Sequence, residues 1–208
     1  MATDRMQSIH KYFAFLSLSL SLLAIPPAAR AGSCEDARDA LKLGIDEVSS
    51  ALRDRPAQID LIALLDTLAN KHFAFETTTR LAVGPGWREF TPDQRAQATE
   101  LFSRLVIRTY AKRLKGNETP VVSFGTPAEL RTNRVEIPSR VTNAGQTYAV
   151  TYRLELDQSA GWRIYDVVAE GVSLVSNYRS QFDPIVRREG AKGLIAAIEN
   201  QLVNVATP

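Results

Sequence analysis

The spacing of the apolar residues changes twice along this chain, and these changes limit the folds that it can form. Between residues 35 and 114 apolar side chains recur every three or four positions, which is typical of amphipathic helices. From Pro120 the spacing becomes two, and after Gly171 it returns to the helical period. Helices, then antiparallel strands, then helices again predict an α+β fold.

Local signals place the ends of the helices that precede the strands. Ser33 and Asp36 have the spacing of a capping box, and Thr91 followed by Pro92 is the pattern of a helix start. The predicted helices cover about residues 35–53, 58–73, 75–83 and 92–114.

Strict alternation predicts an antiparallel meander in the middle of the chain. Residues 147–156 alternate between polar and apolar side chains, and turn residues lie on both sides of them. The meander is predicted to have about four strands, at residues 121–124, 135–137, 147–156 and 162–168.

The first 31 residues have the pattern of an export signal. A basic start precedes an apolar run at residues 12–25, and Ala29 and Ala31 provide the small side chains expected before a cleavage site. The run is about 14 residues long, too short to cross roughly 30 Å of hydrocarbon at 1.5 Å per residue. We therefore expect a cleaved signal peptide at residues 1–31 and a single exported domain at residues 32–208.

Removal of this segment also changes the charge. It takes away Arg5, Lys11 and Arg30 together with Asp4, so the 25 basic and 23 acidic residues of the full chain become 22 of each. The mature chain is formally neutral and has no block of Lys and Arg interleaved with aromatic residues. Nucleic-acid binding is therefore not expected.

The scarcity of His and Cys excludes several kinds of site. The full chain has 2 His and 1 Cys, so only His72 and Cys34 remain after cleavage. A Cys and His zinc site, an iron–sulfur cluster and an intrachain disulfide each need more such side chains, and we expect no metal and no cofactor. His72 ends a predicted helix, where we interpret it as a surface residue rather than a catalytic base.

Cys34 leaves two alternatives open. Residues 31–34 loosely resemble a bacterial lipobox, which would attach a lipid anchor to Cys34. The usual bulky residue is missing at its start, and Cys34 lies nine positions after Ile25. An unlipidated, soluble mature protein is the favoured interpretation.

Several segments together resemble one known family. Residues 162–182, with the sequence WRIYDVVAEGVSLVSNYRSQF, closely resemble the signature of the toluene-tolerance family, the MlaC-type periplasmic phospholipid-binding proteins. Residues 73–81, 87–95 and 102–114 agree with the same family. The resemblance covers about residues 40–202, which is nearly all of the mature chain.

The resemblance implies a periplasmic lipid carrier rather than an enzyme. Such a carrier moves phospholipid between the outer membrane and an inner-membrane ABC transporter and so maintains outer-membrane lipid asymmetry. The implied partners are the transporter's periplasmic subunit, which is MlaD-like, and an outer-membrane lipoprotein complex, which is MlaA-like. Relatives encoded with hopanoid-biosynthesis genes add a hopanoid-like lipid as a second possible cargo.

The resemblance also implies the shape of the site. The expected fold is similar to the NTF2-like cone, a twisted antiparallel sheet of about four strands packed with about six to seven helices around an apolar cavity. We expect the sheet face that carries Tyr148 not to close fully against the Phe102 helix and the helix at residues 172–186. The expected lipid-binding residues are Phe75, Leu81, Trp87, Leu101, Phe102, Leu105, Tyr110, Tyr148, Val150, Tyr152, Leu154, Trp162, Val172, Val175, Tyr178 and Phe182, and no catalytic residue is expected.

An enzyme is the alternative hypothesis. In a secreted NTF2-like enzyme, an acid such as Asp166 would act as general base in an apolar pocket. Co-purification of a lipid would favour the carrier over this alternative.

Overall fold

Five α-helices and six β-strands form the part of the chain that the computed structural model describes, residues 33–54, 56, 59–111 and 120–206. The α+β class predicted from the change of period is confirmed. The predicted signal peptide and the predicted last residues of the fourth helix, 112–114, lie outside the described residues. None of the helices in the described ranges has both the length and the apolar character needed to cross a membrane.

Two of the helices before the sheet begin where their predicted capping pairs place them, whereas the second begins at Leu61, three residues later than predicted. Ser33 accepts a hydrogen bond from the Asp36 amide at 3.0 Å, and the Asp36 carboxylate accepts one from the Ser33 amide at 3.0 Å. Thr91 and Gln94 form the same reciprocal pair. The helices are α1 (Cys34–Arg53), α2 (Leu61–His72), α3 (Phe75–Val83), a 3₁₀ helix (Gly84–Glu89) and α4 (Pro92–Ala111).

One long helix follows the sheet. Helix α5 (Leu174–Ala206) is interrupted at Gly190, where φ is 64° and ψ is −156°, a conformation that glycine adopts without a steric cost. The described residues therefore form five helices and a 3₁₀ turn, or six helices when the segments on either side of Gly190 are counted separately, against the six to seven predicted.

The sheet has two strands more than the four predicted. The strands are β1 (Val121–Phe124), β2 (Ala128–Arg131), β3 (Arg134–Asn143), β4 (Gln146–Asp157), β5 (Gly161–Ala169) and β6 (Val172–Ser173). All their pairings are antiparallel, in the order β1-β3-β4-β5-β6, and β2 also pairs with β3. Strand β2 was missed because all four of its residues are exposed, so no alternation marks it. The prediction of helix from Val172 was wrong by two residues, which pair with the end of β5.

The register of β3 and β4 places one set of side chains on the same face. Val135 pairs with Leu154, Ile137 with Tyr152, Ser139 with Val150, and Val141 with Tyr148. We call this the inner face, because α1 packs against it through the buried residues Ala37 and Leu41.

A second core lies among the helices. Three aromatic rings from α4 and α5, those of Phe102, Tyr178 and Phe182, lie with their centroids 4.7 to 5.5 Å apart. We call these residues the ring cluster. Phe102 and Phe182 are completely buried, so this core is filled.

Hydrogen bonds between β5 and the α2–α3 corner attach the helices to the sheet. The Ala74 amide, between α2 and α3, donates to the Ile164 carbonyl at 2.8 Å. The Thr78 hydroxyl of α3 donates to the Tyr165 carbonyl at 3.0 Å. These bonds fix the α2–α3 corner against β5 and leave a space between α2 and the rest of the inner face.

Candidate functional site

A cavity of about 440 Å³ lies between the helices and the inner face of the sheet. This volume falls within the range of roughly 300–1,000 Å³ that is common for small-molecule sites. Its wall is formed by α1, α2, the first residue of α3, the end of α4, the start of α5 and all strands except β2. Among the described lining residues none is Asp, Glu, Lys or Arg, and His72 is the only titratable nitrogen base.

Helix α1 supplies one side of the cavity through a stripe of small and aliphatic residues. Ala40, Gly44, Val48 and Leu52 recur every four positions and all line the cavity. A Cβ at Gly44 would lie 2.9 Å from His72 Nδ1, so the absence of a side chain lets α1 approach α2 closely.

Strand β4 supplies the opposite side, and its burial decreases steadily toward one end. Leu154 is 1% exposed, Tyr152 and Val150 are partly buried, and Tyr148 is 41% exposed. The exposed lining residues, Ala169 and Val172, lie at the same end of the sheet, and Val172 is 62% exposed. The cavity therefore opens at the end of the sheet near the β3–β4 hairpin, and we call this opening the rim.

A small ionic cluster closes the junction of α1 and α2. Glu47 accepts hydrogen bonds from Lys71 Nζ at 2.6 Å and lies 2.8 Å from His72 Nε2. The hydrogen bonds from Lys71 and from His72 lower the pKa of the Glu47 carboxyl below its ordinary value. His72 is not the surface residue that was predicted: its side chain is 21% exposed because it packs over Gly44. It borders the cavity with one nitrogen already bonded to Glu47.

Asp166, the candidate general base of the enzyme hypothesis, does not line the cavity. It is 2% exposed, and its carboxylate accepts hydrogen bonds from the Val175 amide at 3.0 Å, from Ser173 Oγ at 2.8 Å and from Arg153 Nη1 at 3.2 Å. These bonds connect β5 to the start of α5. The Asp166 carboxylate therefore holds the start of α5 to the sheet.

Metal binding has no support in the described ranges. They contain no group of three or more His, Cys, Asp or Glu side chains that could hold a metal ion.

The structure brings six of the sixteen predicted site residues to the cavity wall. These six are Phe75, Tyr110, Tyr152, Leu154, Trp162 and Val172. Two more, Tyr148 and Val150, lie on the inner face of β4 toward the rim, outside the lining. The other eight lie on α3, the 3₁₀ helix, α4 and α5 without lining the cavity: Leu81, Trp87, Leu101, Phe102, Leu105, Val175, Tyr178 and Phe182. Lipid contact at any of the sixteen stays a prediction.

The two helices expected to face the sheet border the cavity only in part: four residues at the end of α4, from Val106 to Ala111, and Leu174 of α5 line it. Elsewhere these two helices pack against each other through the ring cluster. Sequence reasoning missed the walls that α1 and α2 provide. The available signal was the apolar stripe of α1, in which Gly44 lets His72 of α2 pack against the helix.

Comparison with known proteins agrees with this geometry. The chain is similar to a solved structure of a phospholipid-binding protein from Ralstonia solanacearum in complex with a phospholipid, with a TM-score of 0.74 and 28% sequence identity. The match covers 83% of this chain and 99% of that chain. A family model described as MlaC protein matches residues 44–200, which is most of the chain and includes the second half of α1 and the α2 and sheet walls of the cavity. By this match the chain belongs to the MlaC protein family.

Proposed function

We propose that this protein is a periplasmic carrier that holds phospholipid in the cavity and moves it between the outer membrane and an inner-membrane ABC transporter. This activity would maintain the lipid asymmetry of the outer membrane. The observation that carries the proposal is an apolar cavity of about 440 Å³ that opens at the rim. A similar protein holds a phospholipid on the same fold.

The energetics of the cargo explain why a cavity of this kind is needed. Two acyl chains contain about 30 methylenes, and each costs roughly 0.8 kcal/mol to expose to water, so unassisted passage is opposed by about 20 kcal/mol. Among its described residues the cavity wall has no Asp, Glu, Lys or Arg. It therefore offers the acyl chains apolar contacts in place of those that they leave in the membrane. The carrier forms no covalent bond and needs no catalytic residue.

The proposal includes a location and a route. The mature chain would begin after Ala31 and stay soluble, and the Cys34 side chain packs partly buried beside the sheet core. A formally neutral chain gains little from anionic membranes, where each nearby Lys or Arg contributes about 1 kcal/mol. Delivery would therefore depend on protein docking sites, an MlaD-like subunit on the transporter and an MlaA-like complex at the outer membrane.

Two finer points belong to the same proposal. The sheet wrapped by helices around a cavity supports the likeness to the NTF2-like cone. Phospholipid is the proposed cargo, and a hopanoid-like lipid is the second candidate on the strength of the family resemblance alone.

Native mass spectrometry of the protein purified from periplasm tests the proposal. We expect a non-covalently bound phospholipid that leaves on delipidation and returns when phospholipid vesicles are added. A chain that stays empty under both conditions would contradict the carrier function. Flotation with anionic vesicles, bare or bearing the transporter's periplasmic subunit, then tests the route, because bare vesicles should retain little protein.

A further inference from the structure

Five side chains of the cavity wall carry a polar group, and two of them have partners: His72 is bonded to Glu47, and Tyr110 also has a partner. Within the described residues the Tyr152 hydroxyl, the Trp162 indole N–H and the Ser49 hydroxyl have no hydrogen-bond partner. Ser49 also borders a second groove, which contains charged side chains of α1. Since Tyr and Trp side chains usually place their polar atoms against a partner, the groups on Tyr152 and Trp162 are the ones available to a molecule that enters the apolar cavity.

Tyr152 lies at the boundary between the apolar interior and the rim. Along the inner face of β4 it is two residues from Leu154, which is 1% exposed, and four from Tyr148, which is 41% exposed. At about 3.3 Å per residue, the Tyr152 Cα is roughly 7 Å from that of Leu154 and roughly 13 Å from that of Tyr148 along the strand. A molecule with its apolar part at Leu154 and its polar end in solvent would have its junction beside Tyr152.

The hydroxyl is available as a donor at this place. Burial raises the pKa of Tyr152 above its ordinary value, so the phenol stays protonated throughout the physiological range. A protonated phenol in an apolar wall gains most from an acceptor that enters with the ligand, because water is displaced when the cavity fills.

In a phospholipid the acceptors at the junction of tail and headgroup are the ester carbonyls. We propose that the Tyr152 hydroxyl donates a hydrogen bond to an ester carbonyl of the bound lipid and thereby selects ester-linked glycerolipids over lipids without an acyl carbonyl. This inference rests on the proposed function, and it separates the two candidate cargoes because the polycyclic skeleton of a hopanoid has no acyl ester.

Trp162 is less suited to this role. It pairs with Leu156 of β4. Leu156 is four residues farther from the rim than Tyr152, a distance of about 13 Å along the strand. Its N–H would meet the hydrocarbon tails rather than the tail–headgroup junction.

Competition between two lipids tests the proposal. Delipidated protein is offered a diacyl phospholipid and its dialkyl ether analogue, matched in headgroup and chain length, and the bound ratio is measured by native mass spectrometry. We expect the wild type to favour the ester lipid by about 3- to 10-fold, the value of one net hydrogen bond. Tyr152→Phe should bring the ratio close to one without weakening the binding of the ether analogue.

Tyr165→Phe is the matched control. It removes the same atom from β5, but the Tyr165 ring lies outside the cavity lining with the Arg134 guanidinium 4.2 Å above it. This variant should keep the ester preference of the wild type. A second measurement uses unmodified protein with a phospholipid labelled at its ester carbonyls, whose infrared stretching frequency should fall on binding relative to apolar solvent.

The outcomes separate this inference from the proposed function. Equal binding of the two lipids by the wild type would overturn the inference and leave the carrier function intact, and failure of both lipids to bind would overturn the function itself. A preference that survives Tyr152→Phe, or that disappears in Trp162→Phe instead, would also overturn the role of Tyr152. An unshifted carbonyl band in the wild type would have the same meaning.

Discussion

The two apolar regions of this protein pack differently. In the helical core, the rings of Phe102, Tyr178 and Phe182 lie with their centroids 4.7 to 5.5 Å apart, and Phe102 and Phe182 are completely buried. Between α1, α2 and the inner face of the sheet, apolar side chains instead line an open volume of about 440 Å³. Apolar content alone therefore does not identify a binding site, because unfilled volume between the apolar side chains is also required.

This difference has a direct energetic consequence. Truncating a side chain in a filled core creates a new void, and its cost adds to the lost transfer free energy. Truncating one at the wall of an existing cavity adds little further void.

Phe102→Ala should break the filled core. Phe102 is completely buried between Tyr178 and Phe182, so its removal should lower the free energy of unfolding by about 3–5 kcal/mol. Denaturant unfolding of the delipidated variant and wild type measures this difference.

Val48→Ala is the control from the cavity wall. It removes apolar atoms from a partly buried residue that already faces open space, so we expect a loss of about 1 kcal/mol or less. Equal losses for the two variants would show that the two regions are packed alike.

Val48→Trp should sharpen the comparison by filling the cavity. The indole would occupy space in front of the α1 stripe, so lipid occupancy in native mass spectra should fall several-fold while the free energy of unfolding changes by about 1 kcal/mol. Lys42→Trp is the matched control, because Lys42 lies on the exposed side of α1, outside this cavity. Full lipid occupancy in stable Val48→Trp would exclude this wall from the lipid site.

Glu47→Gln should have the smallest effect, and its effect should depend on pH. Lys71 and His72 lower the pKa of Glu47 in the folded state, so its stabilising contribution is complete above its ordinary pKa near 4.5 and disappears as the pH falls toward the lowered value. The difference in denaturation midpoint between wild type and variant should therefore be positive at pH 6–7 and shrink below pH ~5. A difference that grows on acidification would contradict the assigned role of the cluster.

The helix starts were predictable because their causes are local. The capping pairs at Ser33 and Thr91 depend on residues three positions apart, and both form as predicted. The alternation along residues 147–156 likewise identified β4, because one face of that strand is buried. Strand β2 escaped prediction since its pairing with β3 leaves all its side chains exposed.

The site was predictable only in part, because it depends on contacts between segments that are far apart in the sequence. The inner-face residues Tyr152 and Leu154 could be found from the period of their own strand. The choice of the helices that face them depends on contacts across many intervening residues. The resemblance implied that aromatic residues of α4 and α5 border the cavity; Tyr110 lines it, whereas Phe102, Tyr178 and Phe182 pack in the helical core.

The sequence by itself determined the α+β class, most helix starts and the central strands, and it carried the residues that resemble the MlaC family. These features follow from short-range periodicity, capping and motif spacing, which depend on residues that are close together in the sequence. Only the tertiary structure decided that α1 and α2 close the cavity, that the ring cluster is filled, and that the Tyr152 hydroxyl is left without a partner among the described residues. These properties depend on unfilled volume between distant segments, because packing is set by the shapes of all the neighbours together.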